Sequence, residues 1–564
     1  MTGIRCAARA CGFMLLAVAL FASRRAPAQS APAAPPAGPN ADWWRAARFG
    51  LFVHWGPVSL NGTEIGWSRG GERRGTGGTG EVPVEVYDNF YKRFNPTAFD
   101  ADEWVAVARE AGTKYLVFTT RHHDGFSMFD SQFTDYKITS PDCPFRRDVV
   151  KELAAACHRA GLHLGLYYSQ PDWHHPDYRT PNHARYLKYL HSQVRELCTN
   201  YGKVDVLWFD GLGGTAADWD AENLLRVARQ LQPGILINDR CGLPADFATP
   251  EQEVGRFRND RPWESCITIG QQWAWKPDDE LKSLRECVHT LVRCAGGDGN
   301  LLLNVGPMPD GRIEPRQVER LRQIGQWLKR CGTTIYDTRG GPYKPDRWGA
   351  CTSRGSTVYL HVLDSAVETL DLPPLPKKIV ASRASTGEPV RVSQTEAGLQ
   401  VALGKPCAAE DLDRIIVLEL DGPAAEMPVL PGRRASRSLA LGRPATASNV
   451  FEAQAAFGPD KAFDDDEGTR WATDYGTHAA WLQVDLGTPQ SIGQAILCEE
   501  YGRRVQEFEL QVQDGEAWRT FARGKEIGPE LRVTFSPVTA RIVRLNILSA
   551  TEGPTLSEFE LLPP

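Results

Sequence analysis

Long hydrophobic runs are scarce in this sequence, and basic residues are in no excess. The apolar run at residues 11–22 has only twelve residues, whereas a helix that spans a membrane needs about 20. Lysine and arginine number 64 against 70 aspartates and glutamates, which gives a net charge of -6. Neither a membrane span nor a nucleic-acid partner is therefore expected, because phosphate backbones are bound through basic surfaces.

Cysteine follows no short repeated spacing, although the chain has 13 of them. Such a pattern predicts neither a disulfide framework nor a clustered Cys/His zinc site. The 42% hydrophobic and 24% charged residues are typical of a globular protein. At about 150 residues per domain, 564 residues correspond to three to four domains. Tryptophan (16) and glycine (52) are numerous, which suits aromatic sugar-binding platforms between tight turns.

The first 40 residues indicate a targeting segment and a linker. Two arginines precede the apolar run, and residues 26–28 (Ala-Pro-Ala) fit a small-residue cleavage site. This pattern predicts a signal peptide over residues 1–28 and export to the periplasm or the extracellular space, with an uncleaved anchor as the alternative. Residues 29–40 are rich in proline and alanine, so they are expected to be a linker.

Residues 41–345 alternate between apolar strand-like segments and amphipathic helical segments. Continuous apolar strands separated by helices form parallel sheets buried on both faces, so this alternation predicts an α/β domain of the (β/α)8-barrel type. The strand candidates are 49–56, 114–125, 162–169, 203–211, 234–240, 264–270 and 299–307, and 334–341 is expected to supply the eighth.

Polar and aromatic residues gather at the carboxyl ends of these strand candidates. In a barrel of this type that rim carries the active site, whereas a single such residue could simply cap a strand through a hydrogen bond. The recurrence on five strands predicts a site. The residues concerned include His54, His122, His123, Asp124, Tyr167, Tyr168, Asp210, Asn238, Asp239 and Arg240.

The rest of the chain lacks a helical period. Residues 346–422 consist of short strand-like segments and predict a small β-sandwich, which a Pro/Ala/Arg-rich linker follows at 423–439. Residues 440–564 predict a second all-β domain, with strands at WLQVDLG, IGQAILCEE, FELQVQD, LRVTFSP and ARIVRLNIL.

The barrel region contains a series of motifs: WWRAARFGLFVHWG, KYLVFTTRHHDGFSMFDS, LYYSQPDW, DVLWFDG, NDRCG, RPWESC and GGDGNLLLNVGPMPDG. In this order and spacing they resemble glycoside hydrolase family 29, the α-L-fucosidases. The resemblance implies a secreted, exo-acting, retaining enzyme that hydrolyses terminal α-L-fucose from fucosylated glycans, with no cofactor for catalysis. The alternatives are an α-L-galactosidase, a transfucosylase, or a non-catalytic glycan-binding protein. The fucose linkage and the oligomeric state stay open.

Asp210 and one of three glutamates are the candidate catalytic pair. Two carboxyl groups usually flank the bond that a glycosidase cleaves, and in a retaining enzyme one of them is the nucleophile. Asp210 ends the apolar segment VDVLWFD, and the family's nucleophile falls on this WFDG aspartate. Fucosidases with a short segment between NDR and the WE motif carry the acid/base on the loop, at the position of Glu251. Glu264 in RPWESC and Glu253 are the alternatives, and Glu264 could also be structural.

The resemblance assigns the substrate contacts to three kinds of side chain. Histidines would hold sugar hydroxyls, an arginine would orient the nucleophile, and aromatic residues would pack on the sugar. The two adjacent histidines and the aspartate after them could instead form a metal site. The predicted substrate-binding residues are His54, Trp67, His122, His123, Tyr167, Trp208, Arg240 and Trp273.

One position departs from the family pattern. Many relatives carry an acidic residue directly before the tryptophan that corresponds to Trp67, whereas this sequence has Gly66 there. Glu64 is expected to substitute for that residue in binding one hydroxyl. The surrounding Gly/Arg-rich segment, residues 64–81, is expected to shape the subsite of the leaving group.

The C-terminal domain resembles the discoidin, or coagulation factor 5/8 type C, fold, which bacterial enzymes use as a family 32 carbohydrate-binding module. The matching segments include ATASNVF, DKAFDDDEGTRWATD, AAWLQVDLG and LSEFELL. Relatives often hold a structural calcium ion near the DDDEGTRW turn, and calcium takes oxygen ligands. The alternative is a solvated acidic turn. The candidate ligands are Asp464, Asp466, Thr469 and Glu558.

Overall fold

A computed structural model describes residues 41–403, 411–433, 436–466, 468–500, 503–528 and 530–564. The predicted signal peptide and its linker, residues 1–40, lie outside the described residues. Within the described ranges, no helix is both long enough and apolar enough to cross a membrane.

Seven parallel strands form the sheet that carries the candidate site. Their order is β5-β4-β3-β2-β1-β7-β6 in the chain-order labels given below. Almost every residue of these strands is buried, which explains the continuous apolar segments of the sequence. This half-barrel is consistent with a TIM-like domain. The strands are β1 Phe49–Val53, β2 Tyr115–Arg121, β3 His163–Tyr168, β4 Val206–Phe209, β5 Leu236–Ile237, β6 Glu264–Thr268 and β7 Asn300–Val305.

Helices connect most of these strands, as parallel pairing requires. The third helix shows how the sequence sets both ends of an element. Asp100 accepts hydrogen bonds from the backbone N–H groups of Asp102 and Glu103, and Gly112 ends the helix with a φ of 90°. The helices are α1 Ala41–Ala47, α2 Val84–Tyr87, α3 Ala101–Ala111, α4 Val149–Ala160, α5 His183–Asn200, α6 Ala216–Trp219, α7 Ala221–Leu231, α8 Leu284–Gly296 and α9 Pro315–Cys331.

The segment expected to supply the eighth strand, 334–341, does not join the parallel sheet, so that prediction was wrong. Gly332–Thr334 form a 3-10 turn, and Arg339–Gly340 (β8) pair antiparallel with the following sheet. Residues 247–251 instead make isolated parallel bridges to Asn238 after β5 and to residues in and beside β6. This segment, FATPE, has a proline and no apolar run, so strand patterns do not identify it.

Two antiparallel sheets follow the parallel one. A single hydrophobic cluster draws side chains from both of them, including Leu360, Leu399 and Ile416. The five-stranded sheet contains β8, β9 Gly349–Arg354, β10 Thr357–Val362, β12 Ile379–Ala384 and β15 Arg414–Leu420, and the three-stranded sheet contains β11 Thr369–Leu372, β13 Arg391–Thr395 and β14 Gly398–Ala402.

The C-terminal region is rich in sheet. Two arginines that precede it in the chain pair with its acidic residues: Arg347 lies 2.8 Å from Glu530, and Arg433 lies 2.8 Å from Asp465 and 3.2 Å from Glu560. The strands are β16 Ala445–Ala447, β17 Trp471–Ala472, β18 Ala480–Glu499, β19 Val505–Asp514, β20 Ala517–Gly524, β21 Leu531–Ala550 and β22 Thr555–Leu562.

Candidate active site

One pocket collects the polar and aromatic residues at the carboxyl ends of the parallel strands. All eight predicted substrate-binding residues line it, together with Asp210 and Glu251. A wider surface groove between Asp279 and the start of α9 contains no aromatic residue and none of the predicted ones. The pocket is lined by Phe52, His54, Trp67, His122, His123, Tyr167, Trp208, Asp210, Leu212, Arg240, Glu251, Cys266 and Trp273.

Asp210 is held from several sides where β4 ends. Its Oδ2 accepts a hydrogen bond from the Tyr167 hydroxyl (2.8 Å), and its Oδ1 accepts one from Arg240 Nη1 (3.1 Å). His123 Nε2 lies 3.5 Å from Oδ2. The backbone N–H of Asp210 donates to Gln170 Oε1 (2.7 Å). These contacts fix the direction of the carboxylate, which a nucleophile attacking one particular carbon atom requires.

Arg240 joins Asp210 to Glu251. Its Nη1 lies 3.1 Å from Asp210 Oδ1 and 2.7 Å from Glu251 Oε2, so one nitrogen contacts both carboxyl groups. Its other nitrogens donate to the hydroxyl (2.8 Å) and the carbonyl (2.9 Å) of Thr249. Burial lowers the pKa of Arg240, but the charges of Asp210 and Glu251 outweigh this effect and hold that pKa above its ordinary value. Arg240 is therefore a fixed positive charge between two acids.

The backbone beside Glu251 is fastened to β6. Gln252 donates its N–H to the carbonyl of Cys266 (3.0 Å). Its side chain donates to the hydroxyl of Thr268 (3.1 Å) and accepts from the backbone N–H of Thr268 (3.2 Å). The Glu251 side chain is 42% exposed. The loop thus places the Glu251 side chain at the solvent side of the pocket, while hydrogen bonds to β6 hold the adjacent backbone.

Glu264 and Glu253, the alternative acid/base candidates, do not line the pocket. Glu264 is fully buried at the start of β6, where it accepts hydrogen bonds from Trp208 Nε1 (3.1 Å) and from the Tyr115 hydroxyl. Burial raises the pKa of Glu264 to about 7. Glu253 is exposed on the loop. This placement favours Glu251 as the acid/base and makes Glu264 the support of a pocket wall.

The three histidines are buried and neutral near pH 7. His54 Nδ1 lies 2.6 Å from Asn304 Oδ1, and His123 Nδ1 lies 2.6 Å from the Ser169 hydroxyl. Nδ1 of His122 is buried without a hydrogen-bond partner among the described residues. Burial lowers the pKa of His54 to about 4 and holds the pKa values of His122 and His123 well below the usual range. A neutral imidazole has one donor and one acceptor, which suits sugar hydroxyls.

The same side chains include a group that could hold a metal ion. Potential ligand atoms of His122, His123 and Asp210 all lie within 4.8 Å of one another. However, Asp210 already accepts hydrogen bonds from Tyr167 and from the positively charged Arg240. A fixed cation at 3.1 Å opposes a second cation on the same carboxylate. The geometry therefore favours a sugar over a metal ion.

Aromatic rings supply the apolar surface of the pocket. Trp208 stacks on Tyr167 with ring centroids 5.6 Å apart, and the Arg240 guanidinium lies 4.7 Å from the Trp208 ring. Trp273 packs edge-on against Phe52 at 6.0 Å. Phe52, which sequence reasoning did not single out, lies on β1 two residues before His54 and so on the same face of the strand.

Glu64 does not replace the acidic residue missing before Trp67, so that expectation was wrong. Its carboxylate accepts hydrogen bonds from the backbone N–H groups of Trp273 (2.7 Å) and Ala274 (3.0 Å), which anchors the loop that carries Trp273. Gly66 has a φ of 65°, and a Cβ atom there would lie 2.6 Å from His122 Nδ1. The His122 ring therefore occupies the space that a side chain at position 66 would need.

Asp124, the third residue of the HHD motif, supports the pocket from behind. Its Oδ2 accepts a hydrogen bond from the Tyr87 hydroxyl (2.8 Å), which in turn accepts one from the backbone N–H of Gly66 (2.8 Å). Burial raises the pKa of Asp124 to about 6.

Several residues that hold the pocket side chains in place are not identified by the sequence patterns. Three carry a signal that could have found them, because they are polar residues within an apolar strand or just after one: Asn304 in LLLNV, and Ser169 and Gln170 after LYY. The others lie on loops and carry no such signal. The missed residues are Ser169, Gln170, Thr249, Gln252 and Asn304.

Two family models match the chain: residues 22–333 match the one described as Alpha-L-fucosidase, and residues 444–561 match the one described as F5/8 type C domain. The plasma alpha-L-fucosidase of Homo sapiens is 30% identical over 357 residues, which cover 56% of this chain and 74% of that protein. Alpha-L-fucosidase isoenzyme 1 from Paenibacillus thiaminolyticus is 35% identical with a TM-score of 0.62, covering 68% of this chain and 99% of that one. An alpha-L-fucosidase from Bacteroides thetaiotaomicron, solved as a trapped covalent intermediate, is 26% identical with a TM-score of 0.60, covering 69% and 98%.

Proposed function

This chain belongs to the alpha-L-fucosidase family, whose members are glycoside hydrolases that release fucose, and we propose that it removes terminal α-L-fucose from glycans with retention of configuration. One observation carries the catalytic assignment. A single nitrogen of Arg240 lies 3.1 Å from Asp210 Oδ1 and 2.7 Å from Glu251 Oε2. The two carboxyl groups are therefore close enough for the separation of about 5–5.5 Å that retaining enzymes show.

In the first step, Asp210 attacks the anomeric carbon of the bound fucose while Glu251 donates a proton to the departing glycosidic oxygen. The bond to the leaving group breaks, and a fucosyl ester forms on Asp210. Tyr167 and Arg240 hold the attacking carboxylate in place through their hydrogen bonds. The neutral histidines bind hydroxyls of the sugar, and Trp208 and Trp273 cover its apolar surface.

In the second step, Glu251 takes a proton from a water molecule, and the oxygen of that water attacks the anomeric carbon. The ester bond breaks, α-L-fucose leaves, and Asp210 returns as a carboxylate. The half-exposed position of Glu251 supports this role, because both the leaving glycan and the incoming water pass the solvent side of the pocket.

The proposed architecture extends the seven-stranded sheet to a closed (β/α)8-type barrel. The bridges that residues 247–251 make to the ends of both edge strands support this closure. The two middle sheets, which share one hydrophobic cluster, would form the small β-sandwich. The C-terminal region would be a discoidin-like sandwich that binds carbohydrate, and its match to the F5/8 type C family supports this assignment. Export by a signal peptide over residues 1–28 belongs to the same proposal.

A structural calcium ion in the C-terminal region is also proposed. Glu558 is buried, its Oε1 has no hydrogen-bond partner among the described residues, and burial raises its pKa to about 8. Nearby, Asp464 accepts from the Thr469 hydroxyl (2.8 Å), and Asp466 accepts from the N–H of Gly468 (2.9 Å). These oxygens suit calcium. Added calcium should raise the melting temperature and a chelator should reverse the rise; no rise, or an equal rise in Glu558→Gln, would contradict the site.

Hydrolysis of an aryl α-L-fucoside by the purified protein tests the proposed function. The protein should cleave this substrate and prefer it to the aryl α-L-galactoside. Asp210→Asn should keep its circular dichroism spectrum but lose turnover by several orders of magnitude, because an amide cannot form the ester. Asp514→Asn, at an exposed aspartate ending β19, is the control and should behave as wild type. An inactive wild-type protein would support a glycan-binding role, and near-normal activity of Asp210→Asn would exclude Asp210 as the nucleophile.

A further inference from the structure

Arg73 lies on the outer side of one wall of the pocket. That wall contains Trp67, whose ring meets His123 edge-on at 5.6 Å and Trp173 at 5.1 Å. The Arg73 guanidinium carbon lies 5.2 Å from the Trp67 ring centroid and 5.6 Å from that of Trp173. Because Trp67 lines the pocket and Arg73 does not, Arg73 lies on the far side of the pocket wall that Trp67 forms.

Arg73 is also near the surface. It is half-buried, and residues 75–79, which follow it, are exposed. An exo-acting enzyme encloses only the terminal sugar, so the rest of the glycan must leave through the mouth of the pocket. Arg73 is thus placed where the sugar that carries the fucose would lie. Its charge reaches the pocket, since it contributes to the lowered pKa of His123, after burial and the charges of His54, Arg121 and Arg240.

The guanidinium of Arg73 retains unused donors, in contrast to its arginine neighbours. Its Nη2 donates to the carbonyl of Trp67, and Nε is buried without a partner. Its Nη1 has no hydrogen-bond partner in the part of the chain that the structure describes, so Nη1 is the donor that can face a ligand. Among the described residues, no carboxylate lies within ion-pairing distance of it, and Glu81 is the acid whose charge it senses. Arg69 is paired with Asp88 at 2.6 Å. The nearby Arg74 and Arg179 are likewise engaged, by backbone carbonyls and by an aspartate, respectively.

A guanidinium fixed on aromatic rings is preorganised for a planar or tetrahedral anion, which it binds through two N–H groups at once. We propose that Arg73 is a specificity residue for an anionic group, either a sulfate ester or a carboxylate, on the sugar from which fucose is removed. The inference rests on the proposed function and adds a substrate class to it: acidic fucosylated glycans.

One fucosylated oligosaccharide prepared in neutral, sulfated and carboxylated forms tests this inference, with kcat/KM as the readout. Wild type should favour one or both anionic forms over the neutral form by about 10-fold or more, and the form that is favoured identifies the anion. Arg73→Gln should reduce that ratio to near one. Arg73→Lys should keep only part of it, because an ammonium group lacks the planar fork. High salt should also weaken the preference.

Arg74→Gln is the matched control, because it removes the same charge from the same loop at a residue directed to backbone carbonyls. It should change the rates on all three substrates alike and leave the ratio intact. An equal loss on all substrates in Arg73→Gln, or no anionic preference in wild type, would overturn the inference. If wild type hydrolyses the aryl fucoside but shows no anionic preference, the inference about Arg73 is wrong while the proposed function stands.

Discussion

Glu251 and Glu264, the two main candidates for the acid/base role, differ in their exposure to solvent. Glu251 is half-exposed in the pocket, whereas Glu264 is fully buried behind Trp208. A general acid matters most for a poor leaving group. Glu251→Gly should therefore lose far more activity on a natural fucosyl glycan than on an activated aryl fucoside. Added azide should restore turnover of the aryl fucoside, because a small anion can attack the fucosyl ester without a base.

Glu264→Ala is the companion variant for this comparison. It should lower the rates on both substrates alike, without azide rescue, because it loosens Trp208 rather than removing a proton donor. The reverse pattern would transfer the acid/base role to Glu264. Rescue at neither position would leave Glu253 as the candidate.

The buried carboxyl group of Glu264 should also make the stability of the folded protein depend on pH. Burial raises its pKa from 4.5 to about 7, so the folded protein binds this proton more tightly than the unfolded chain does. The resulting stabilisation is complete below about pH 4.5 and is lost as the pH rises through about 7, with a total of about 3 kcal/mol. Glu264→Gln cannot ionise. Between pH 5 and 8, wild type should therefore lose more stability than Glu264→Gln in denaturant titrations, and a constant difference between them would contradict this account.

Single residues show how far the sequence could predict the site. Asp210 and the three histidines were predictable because polar residues at the ends of apolar strands meet at one rim of a parallel sheet. Gln252 was not, because its contacts with β6 depend on a loop conformation with a φ of 55° at that residue. Glu64 was placed wrongly, because nothing in the sequence shows that its carboxylate turns toward the backbone N–H groups of residues 273 and 274.

At the level of structural elements, the loop that contains Gly66 allows a test of how closely this loop packs against the His122 ring. Gly66 and Gly77 both have positive φ values, 65° and 74°, so an alanine strains the backbone similarly at either position. A Cβ at position 66 would lie 2.6 Å from His122 Nδ1, whereas nothing lies within 4 Å at position 77. Gly66→Ala should displace His122 and raise KM for the fucoside by about 10-fold, the effect of one lost hydrogen bond.

Gly77→Ala is the control for backbone strain and should keep a KM within about 2-fold of wild type. Equal KM values for Gly66→Ala and Gly77→Ala would show that contact with His122 does not shape the pocket.

The strands of the parallel sheet were predictable as elements, but the segment that bridges its two edges was not. Seven buried apolar segments appear in the sequence and become β1–β7. The eighth strand was assigned to 334–341 from its position in the chain, yet residues 247–251 bridge the two edge strands instead. This five-residue segment contains a proline and no apolar run, so it carries no strand pattern and only tertiary contacts reveal its place.

At the scale of the whole molecule, ion pairs of Arg433 tie the C-terminal region to the chain before it. Arg433 is 21% exposed and pairs with Asp465 and Glu560. Arg433→Ala removes one arginine from Asp465 and from Glu560, which keeps Arg347 at 3.6 Å, and should cost about 1–3 kcal/mol. Calorimetry should show a transition of the C-terminal region at lower temperature, separated from the main one.

Arg541→Ala is the matched control for this prediction, because it breaks an exposed ion pair with Asp485 inside the C-terminal region. Exposed pairs contribute about 0–1 kcal/mol, so its melting profile should stay close to that of wild type. Equal shifts in Arg433→Ala and Arg541→Ala would show that the Arg433 contacts do not hold the regions together.

The stereochemistry of the first product tests the central claim, a double displacement through Asp210, most directly. NMR spectra recorded in the first minutes of aryl α-L-fucoside hydrolysis distinguish the anomers before mutarotation mixes them. Two successive inversions at the anomeric carbon, the first by Asp210 and the second by water, predict that α-L-fucose appears first. Initial release of β-L-fucose would show a single direct attack by water and would contradict the mechanism.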